Sequence, residues 1–509
     1  MTAVGLNVRG EIPTAVQGSF IVAMSRRDKR HDHFSRWHDS QADLVRIDVI
    51  PGRPGRASAQ LLEVDPSGAS VGDGFASTEF DRASYRTEPR YGYATQPNHG
   101  LNLAGNTLWA TNLLFGAPLE IDVPRWRATR ILRYVTPSVG APRVSGTSHF
   151  AWSLDGRYAY FHQSLFAQRT NGPVATEDLR LVRLDVRTGA EKIWTLIPPD
   201  ADRASSEINF HSAFYFEEAG KRFVGLLKTG AIVENLAPHT MPFDHTVIPM
   251  TASTIWIVEL DENRSDLKAS LLAGIREVDG LALSHLDVDN RSGDGFVLFA
   301  NYKEADVAEE THGSNIFDEA PEVVSEHYAG MTVQPINVGQ VIRVARKNGT
   351  TTIRSFKRHY DVGRTSLGHT WMPINIELDE SRSHLFCSFA GLRPRLVPRH
   401  ISTAYPTRVF DPKNVSYVPP VLMRFDADTL EPEYSKRRDY LSYAEPIAMT
   451  VVGRVGDGYV CTFSPEVGLR MYRADDLSTM VAHINCHPIW QWGDTHFHPE
   501  PAHMIFAAR

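Results

Sequence analysis

Short apolar runs and alternating apolar–polar runs recur along almost the whole chain, whereas helical periodicity is nearly absent. Each run is bounded by Gly, Asp, Asn or Pro, the residues that favour turns. The clearest runs lie at 18–24, 106–112, 157–162, 254–260, 295–301, 384–389 and 458–463. This pattern predicts an all-β protein with tight turns. Asp-Gly pairs at 155–156, 294–295 and 457–458 predict hairpins, because Gly adopts the positive φ that such turns require.

A five-residue motif with a central Arg repeats along the chain and is followed each time by a turn and another apolar run. The copies are Leu44-Val-Arg-Ile-Asp48, Leu181-Val-Arg-Leu-Asp185, Val341-Ile-Arg-Val-Ala345, Leu422-Met-Arg-Phe-Asp426 and the looser Leu469-Arg-Met-Tyr-Arg473. Such units are typical of the outer strands of β-propeller blades. About 26 to 28 strand candidates, at four per blade, predict about seven blades.

Recurrence over nearly the full length favours one closed ring over the alternative of two packed β-sandwiches. We therefore predict a single domain over 1–509, a seven-bladed β-propeller in which loops form a cap over the axis. The acidic stretch 304–325 and the Pro-rich stretch 401–420 are expected to be surface loops.

Composition narrows the class of protein. The chain has 509 residues, 42% hydrophobic and 22% charged, which suits a globular protein with a sizeable core. Its net charge of −7 and scattered Arg and Lys argue against a nucleic-acid partner. The cysteines, Cys387, Cys461 and Cys486, match neither a disulfide framework nor a zinc site. With no leader and no apolar run of about 20 residues, a cytoplasmic protein is expected; peripheral membrane contact and the oligomeric state are left open.

Four of the 21 histidines are flanked by apolar residues where a strand is expected to begin or run: His149, His211, His285 and His503. Since the innermost strands of a propeller end near its axis, one His from each of several blades could meet there. Four imidazoles suit iron, zinc, copper or nickel. From the residues alone, hydrogen-bonded core histidines explain the pattern as well. A solvated loop explains three histidines in a polar stretch, His31, His33 and His38.

Several segments resemble one known family in their order and separation. They include Gly10-Glu-Ile-Pro-Thr-Ala-Val-Gln-Gly18, Pro97-Asn-His-Gly-Leu101, Gly116-Ala-Pro-Leu-Glu-Ile-Asp122, Met372-Pro-Ile-Asn-Ile-Glu377, Glu445-Pro446 and Pro501-Ala-His503. Through them the chain resembles the carotenoid cleavage oxygenases almost from end to end. The resemblance implies a seven-bladed propeller with Fe(II) on its axis, and a reaction in which O2 cleaves a carbon–carbon double bond of an apolar olefin. The olefin would be apocarotenoid- or stilbene-like.

The same resemblance implies that the metal ligands are His149, His211, His285 and His503. For the fourth, His496 and His498 are alternatives, and His503 is preferred for its distance from Glu445-Pro446 and from the C-terminus. Phe150, Trp152, Phe210, Phe214 and Trp371 would line a substrate tunnel or form plain core.

The chain departs from the family where carboxylates support the ligand histidines. Glu445 stands at one such position, but Leu114 and Trp371 stand at the other two. Because these partners orient a ligand and raise its basicity, their loss keeps a second function open. That alternative is a metal-dependent isomerase, hydrolase or cyclase in which the ion acts as a Lewis acid. A non-catalytic binding propeller is a third.

Overall fold

Strands make up the regular structure of the chain, as the apolar–polar alternation predicts. The computed structural model describes residues 3–28, 41–63, 100–111, 119–131, 143–146, 149–167, 175–200, 210–228, 231–235, 245–249, 254–272, 282–304, 338–357, 359–360, 369–370, 372–390, 421–433, 451–455, 458–464, 468–486, 488 and 497–508. These residues form 34 strands and no α-helix. None of them provides a helix of the length and apolar character that a membrane crossing needs.

The first half of the chain contains nineteen strands, which are β1 (Val4–Gly10), β2 (Gly18–Asp28), β3 (Gln41–Ile50), β4 (Arg56–Glu63), β5 (Gly100–Ala104), β6 (Thr107–Thr111), β7 (Leu119–Asp122), β8 (Arg127–Ile131), β9 (Arg143–Gly146), β10 (Ala151–Trp152), β11 (Tyr158–Ala167), β12 (Ala175–Asp185), β13 (Glu191–Ile197), β14 (Phe210–Glu218), β15 (Lys221–Lys228), β16 (Ala231–Asn235), β17 (His245–Pro249), β18 (Thr254–Glu259) and β19 (Asp266–Leu271). The second half contains β20 (Ala282–Asp289), β21 (Gly295–Glu304), β22 (Val338–Lys347), β23 (Thr350–Lys357), β24 (His359–Tyr360), β25 (His369–Thr370), β26 (Met372–Leu378), β27 (His384–Ala390), β28 (Val421–Asp426), β29 (Pro432–Glu433), β30 (Val451–Val455), β31 (Tyr459–Ser464), β32 (Gly468–Arg473), β33 (Met480–Asn485) and β34 (Phe497–Ala508).

The runs chosen from the sequence are strands in the structure, namely β2, β6, β11, β18, β21, β27 and β31. The expected number of strands was too low, because two-residue strands such as β24 and β29 are too short to show a pattern. The Asp-Gly turn at 155–156 is confirmed, with Gly156 at φ 66° between β10 and β11. The stretches expected to be surface loops, 304–325 and 401–420, lie outside the described residues apart from Glu304 in β21.

Consecutive strands pair antiparallel in groups of four. The groups are β34-β2-β3-β4, β5-β6-β7-β8, β10-β11-β12-β13, β14-β15-β18-β19, β20-β21-β22-β23, β26-β27-β28-β29 and β30-β31-β32-β33. Within a group, alternate side chains point to opposite faces of the sheet, so each group presents two apolar faces to its neighbours. One apolar cluster between neighbouring groups contains Tyr160, Trp194, Phe210 and Trp256, all fully buried.

The two ends of the chain meet in one group, as we expected of a closed ring. β34 pairs antiparallel with β2 from Gly18 opposite Ala508 to Asp28 opposite Phe497. β1 pairs with β33 on one side and with β4 on the other, so it joins the outer edges of two groups. The outer edges are thereby covered rather than left as exposed strand edges.

The repeated Arg joins four of the five groups that carry it to the next group along the chain. The motif lies in β3, β12, β22, β28 and β32, the third strand of its group each time. Arg46 donates to the carbonyl oxygen of Val123 at 2.8 Å, Arg343 to that of Ala427 at 2.8 Å, and Arg424 to that of Ala474. Each acceptor directly follows the third strand of the neighbouring group, and Arg183 reaches Glu262 in the corresponding turn. The repeat is therefore a set of ties between adjacent sheets.

Replacement of Arg343 with Met is expected to lower the free energy of unfolding by about 1.5–3 kcal/mol, the range for a hydrogen bond to a charged group. The side chain of Arg343 is only 11% exposed, so in the variant water reaches the carbonyl oxygen of Ala427 poorly and does not replace the lost hydrogen bond. Arg354→Met is the matched control: this exposed side chain reaches the same turn over a longer distance, 3.2 Å to Asp428 O. Urea unfolding of both variants checks the difference, and equal losses would contradict a tying role for Arg343.

Candidate metal centre

Three of the four histidines expected to bind a metal stand at irregularities in their strands. In β14, His211 is an extra residue between the pairs Phe210–Lys228 and Ser212–Leu227. A β-bulge of this kind redirects a side chain away from the regular alternation, and bulges are frequent beside active sites. The sequence pattern carried no signal of the bulge, because it depends on how two distant strands pair.

The other two strands show the same feature. In β20, Ser284 and His285 fall in a register shift between Leu283 and Leu286. In β34, the register shifts directly after the pair formed by His503 and Ala23. The main chains of His211 and His285 are thus placed, whereas their side chains lie outside the described part of the structure.

His149 is held beside the start of β14. It forms an isolated parallel bridge with Ser212, and its carbonyl oxygen accepts the main-chain N–H of Ala213 at 3.1 Å. The main chain of His149 therefore runs next to that of His211. Its side chain is buried, 7% exposed, which keeps the imidazole away from bulk water.

The rings of His149 and His503 are in contact although the residues are far apart in sequence. Their centroids lie 4.8 Å apart with an interplanar angle of 79°, an edge-to-face arrangement. The structure thus brings two of the four expected ligands together. The main chain of His498 pairs with Arg27 at the far end of the same strand, and His496 lies outside the described residues.

The ring of His503 makes a hydrogen bond to the neighbouring group of strands. The main-chain N–H of Leu101, in β5, donates to Nδ1 of His503 at 2.9 Å. Burial lowers the pKa of His503 to about 4, because the charged imidazolium is poorly solvated there. The ring is therefore neutral near pH 7, and with Nδ1 accepting a bond its proton lies on Nε2.

Two adjacent imidazoles, of which that of His503 is neutral near pH 7, suit a divalent metal, which takes the lone pair of an imidazole nitrogen. His503 fits such an ion on one condition. Its Nδ1 lone pair is occupied by Leu101 and its Nε2 carries the proton, so the ring must turn or give up the Leu101 bond before it binds. Among the side chains that the structure describes, no group of three or more His, Cys, Asp or Glu is arranged to hold a metal ion.

The carboxylate positions of the expected site, Glu445, Leu114 and Trp371, lie outside the described residues, as do His31, His33 and His38. The remaining aromatic candidates for a tunnel pack into apolar clusters. Phe150 stacks on Phe161 at 4.7 Å, with Trp152 packed against the same cluster, and Phe214 packs on Phe296 at 4.7 Å. These contacts are those of core residues.

Buried polar residues were missed in the sequence. His162 and Lys228 are fully buried, and Thr254 is 3% exposed. The signal was present for His162: Tyr158, Tyr160 and His162 alternate on one face of β11, so a His occupies an apolar-face position.

Comparison with solved structures identifies the fold. The chain is similar to a variant of Synechocystis apocarotenoid oxygenase, with a TM-score of 0.53 and 13% identity over 100% of this chain and 96% of the other. A cobalt-substituted form of the Synechocystis enzyme gives a TM-score of 0.53 at 13% identity with the same coverage. Pseudomonas brassicacearum lignostilbene dioxygenase gives 0.52 at 12% identity, again over 100% and 96%.

No protein-family model matches the chain, and no curated protein sequence matches it. The structural likeness defines a nearly all-β fold of the oxygenase type. More particularly, the chain has a carotenoid cleavage oxygenase-like fold, at low sequence identity.

Proposed function

We propose that the protein is a non-haem Fe(II)-dependent dioxygenase that cleaves a carbon–carbon double bond of an apolar olefin, apocarotenoid- or stilbene-like. The observation that carries this proposal is the convergence of His149 and His503. The two residues belong to separate parts of the chain, and their rings are 4.8 Å apart within an oxygenase-like fold.

The proposed architecture is a single seven-bladed β-propeller over 1–509. Its support is the succession of four-stranded antiparallel groups from β34-β2-β3-β4 to β30-β31-β32-β33. Further support is the pairing of β34 with β2, which brings the ends of the chain into one group. The segments that connect the strand groups would form the cap over the propeller axis. The cytoplasmic location expected from the sequence stays a prediction.

The residues that would hold the ion are His149, His211, His285 and His503. A bound Fe(II) would supply activation of O2. The chain itself supplies burial, which keeps His503 neutral, and main-chain contacts that fix the candidate ligands. The bridge between His149 and Ser212 fixes the first of them relative to β14. The bond from Leu101 holds the ring of His503 in the metal-free protein and would be released, or the ring turned, when the ion binds.

A metal-dependent isomerase, hydrolase or cyclase is the second candidate. It is favoured by the hydrogen bond at His503, where Nδ1 meets a main-chain donor rather than a carboxylate acceptor. A ligand imidazole normally donates this N–H to an acceptor, which raises its basicity. Together with Leu114 and Trp371 in place of carboxylates, this predicts a less electron-rich metal centre, suited to Lewis-acid chemistry.

Metal analysis combined with oxygen uptake tests the proposal. The purified protein is assayed for bound iron and then for oxygen consumption with trans-stilbene derivatives and an apocarotenal. Iron with stoichiometric oxygen uptake and two carbonyl products supports the dioxygenase. Turnover with metal but without oxygen uptake supports the second candidate, and absence of metal and turnover contradicts both.

Within that assay, Glu445→Gln is expected to lower iron affinity or turnover by about 10–100-fold, the usual effect of losing an outer partner of a ligand. Leu114→Glu and Trp371→Glu restore carboxylates and distinguish the two chemistries. Higher iron retention with faster oxygen-dependent cleavage would mark a weakened oxygenase. Loss of turnover with metal still bound would contradict the dioxygenase.

A further inference from the structure

The side chain of Asn102 connects β5 to the main chain beside a candidate metal ligand. Its Oδ1 accepts the main-chain N–H of Phe150 at 3.2 Å, and Phe150 directly follows His149. Because Phe150 is only 5% exposed, water replaces this acceptor poorly. The bond therefore joins the group β5-β6-β7-β8 to the chain that leads into β10.

The peptide unit between His149 and Phe150 is held on both of its sides. Its carbonyl oxygen, which belongs to His149, accepts the main-chain N–H of Ala213 at 3.1 Å, and its N–H donates to Asn102. A peptide unit is planar and rotates as one body about the bonds to its flanking Cα atoms. Two bonds to different strands, β14 and β5, oppose that rotation and so fix ψ of His149. The direction in which the imidazole leaves the main chain is thereby constrained.

Asn102 lies on a face of its sheet that is otherwise apolar. It is paired with Trp109 on β6, so both side chains lie on the same face. Trp109 is fully buried in a cluster that also contains Phe150 and Phe161. An apolar side chain would suit this face, whereas the N–H of Phe150 needs an acceptor. A polar residue at this position therefore has a specific role in holding the main chain.

The residue before Asn102 contacts the second histidine of the pair. The main-chain N–H of Leu101 donates to Nδ1 of His503 at 2.9 Å, and the ring of His503 meets that of His149. Two successive residues of β5 thus reach the two histidines, one through its main chain and the other through its side chain. The bond made by Asn102 involves no ring nitrogen, so it can persist when an ion binds.

We propose that Asn102 is a positioning residue of the candidate metal centre, whose side-chain oxygen holds the peptide after His149 and so directs the imidazole toward the ring of His503. This deepens the proposed function, on which it rests for the ion. Loss of the acceptor leaves the N–H of Phe150 unsatisfied, and the segment that carries His149 then opens more often. The imidazole becomes more accessible and a weaker metal ligand.

The test compares Asn102→Leu, which keeps the branched shape of the side chain without its acceptor, with Asn102→Asp, which keeps the acceptor. Metal-free protein is treated with diethyl pyrocarbonate at pH 7, and the modification rate of each histidine is measured by peptide mass spectrometry. We expect His149 to react about 5–10-fold faster in Asn102→Leu, and within about threefold of the wild-type rate in Asn102→Asp. His162, which is fully buried in β11, should keep its rate in both variants.

Asn106→Leu is the matched control, because Asn106 lies in the turn of the same hairpin with an exposed side chain and should change neither rate. An unchanged rate at His149 in Asn102→Leu would overturn the proposal. A parallel rise at His162 would also overturn it, because the variant would then have loosened the fold in general. If Asn102→Leu does not fold, Asn102→Ala decides: its smaller side chain avoids a clash and should still raise the rate at His149 about threefold or more.

Titration with Co(II), followed by its visible absorption, is the second measurement on the same variants. The affinity should fall about 5–10-fold in Asn102→Leu and return to within about threefold of the wild-type value in Asn102→Asp. Unchanged Co(II) affinity in Asn102→Leu would contradict a role in the metal centre. Wild-type protein that binds neither Co(II) nor iron would contradict the proposed function, whereas the modification rates, measured without metal, still decide whether Asn102 positions His149.

Discussion

If the proposed function is right, the His149→Ala variant is expected to lose the proposed iron and, with it, oxygen-dependent cleavage by at least about 100-fold, beyond the scale of outer-partner losses. The reason is local. His149 is buried in ring contact with His503, and its main chain is bridged to Ser212 beside the bulge at His211. Removal of the imidazole takes away one of the four proposed nitrogen donors. Metal content per chain is measured first, and turnover afterwards.

His483→Ala is the control for this experiment. His483 lies in β33, paired with Arg9 and Arg470 at the outer part of its group, and should affect neither iron content nor turnover. Iron bound to His149→Ala at the wild-type stoichiometry would show that the histidine pair is structural, and the proposed ligand set would be wrong.

The largest effect on stability is expected from Gly295→Ala. Gly295 has a φ of 128°, which L residues rarely adopt, and a Cβ built there would overlap the carbonyl oxygen of Arg346 on β22. The backbone must shift at the point where β21 pairs with β22, so the variant is expected to lose about 3 kcal/mol or more in the free energy of unfolding, a size reserved for strain and overpacking.

A neighbouring glycine in the same turn gives the comparison. Gly293 has a φ of 71° and open space around its Cβ position. Gly293→Ala should therefore cost only the left-handed conformation itself, about 1–2 kcal/mol. Urea unfolding of the two variants measures the difference, and a smaller loss in Gly295→Ala than in Gly293→Ala would refute the argument from close contact.

Local patterns in the sequence were enough to predict the strands and to detect the repeated Arg motif. Alternation with a period of two is a local property of the backbone, so runs such as 157–162 and 254–260 could be assigned without knowing their partners. The central Arg of the repeat was visible, but its acceptors were not. Val123, Ala427 and Ala474 lie on the neighbouring group each time, at sequence separations that no local rule connects.

What the sequence by itself determined is the all-β class and, through the resemblance, a carotenoid cleavage oxygenase-like fold, which the structure confirms. Only the tertiary structure decided that the rings of His149 and His503 touch, that Leu101 occupies Nδ1 of His503, and that Lys228 and Thr254 are paired on neighbouring strands. The physical reason is the register between strands distant in sequence. A shift of one residue turns a side chain to the opposite face, and pairing across the whole sheet, rather than local propensity, sets that register.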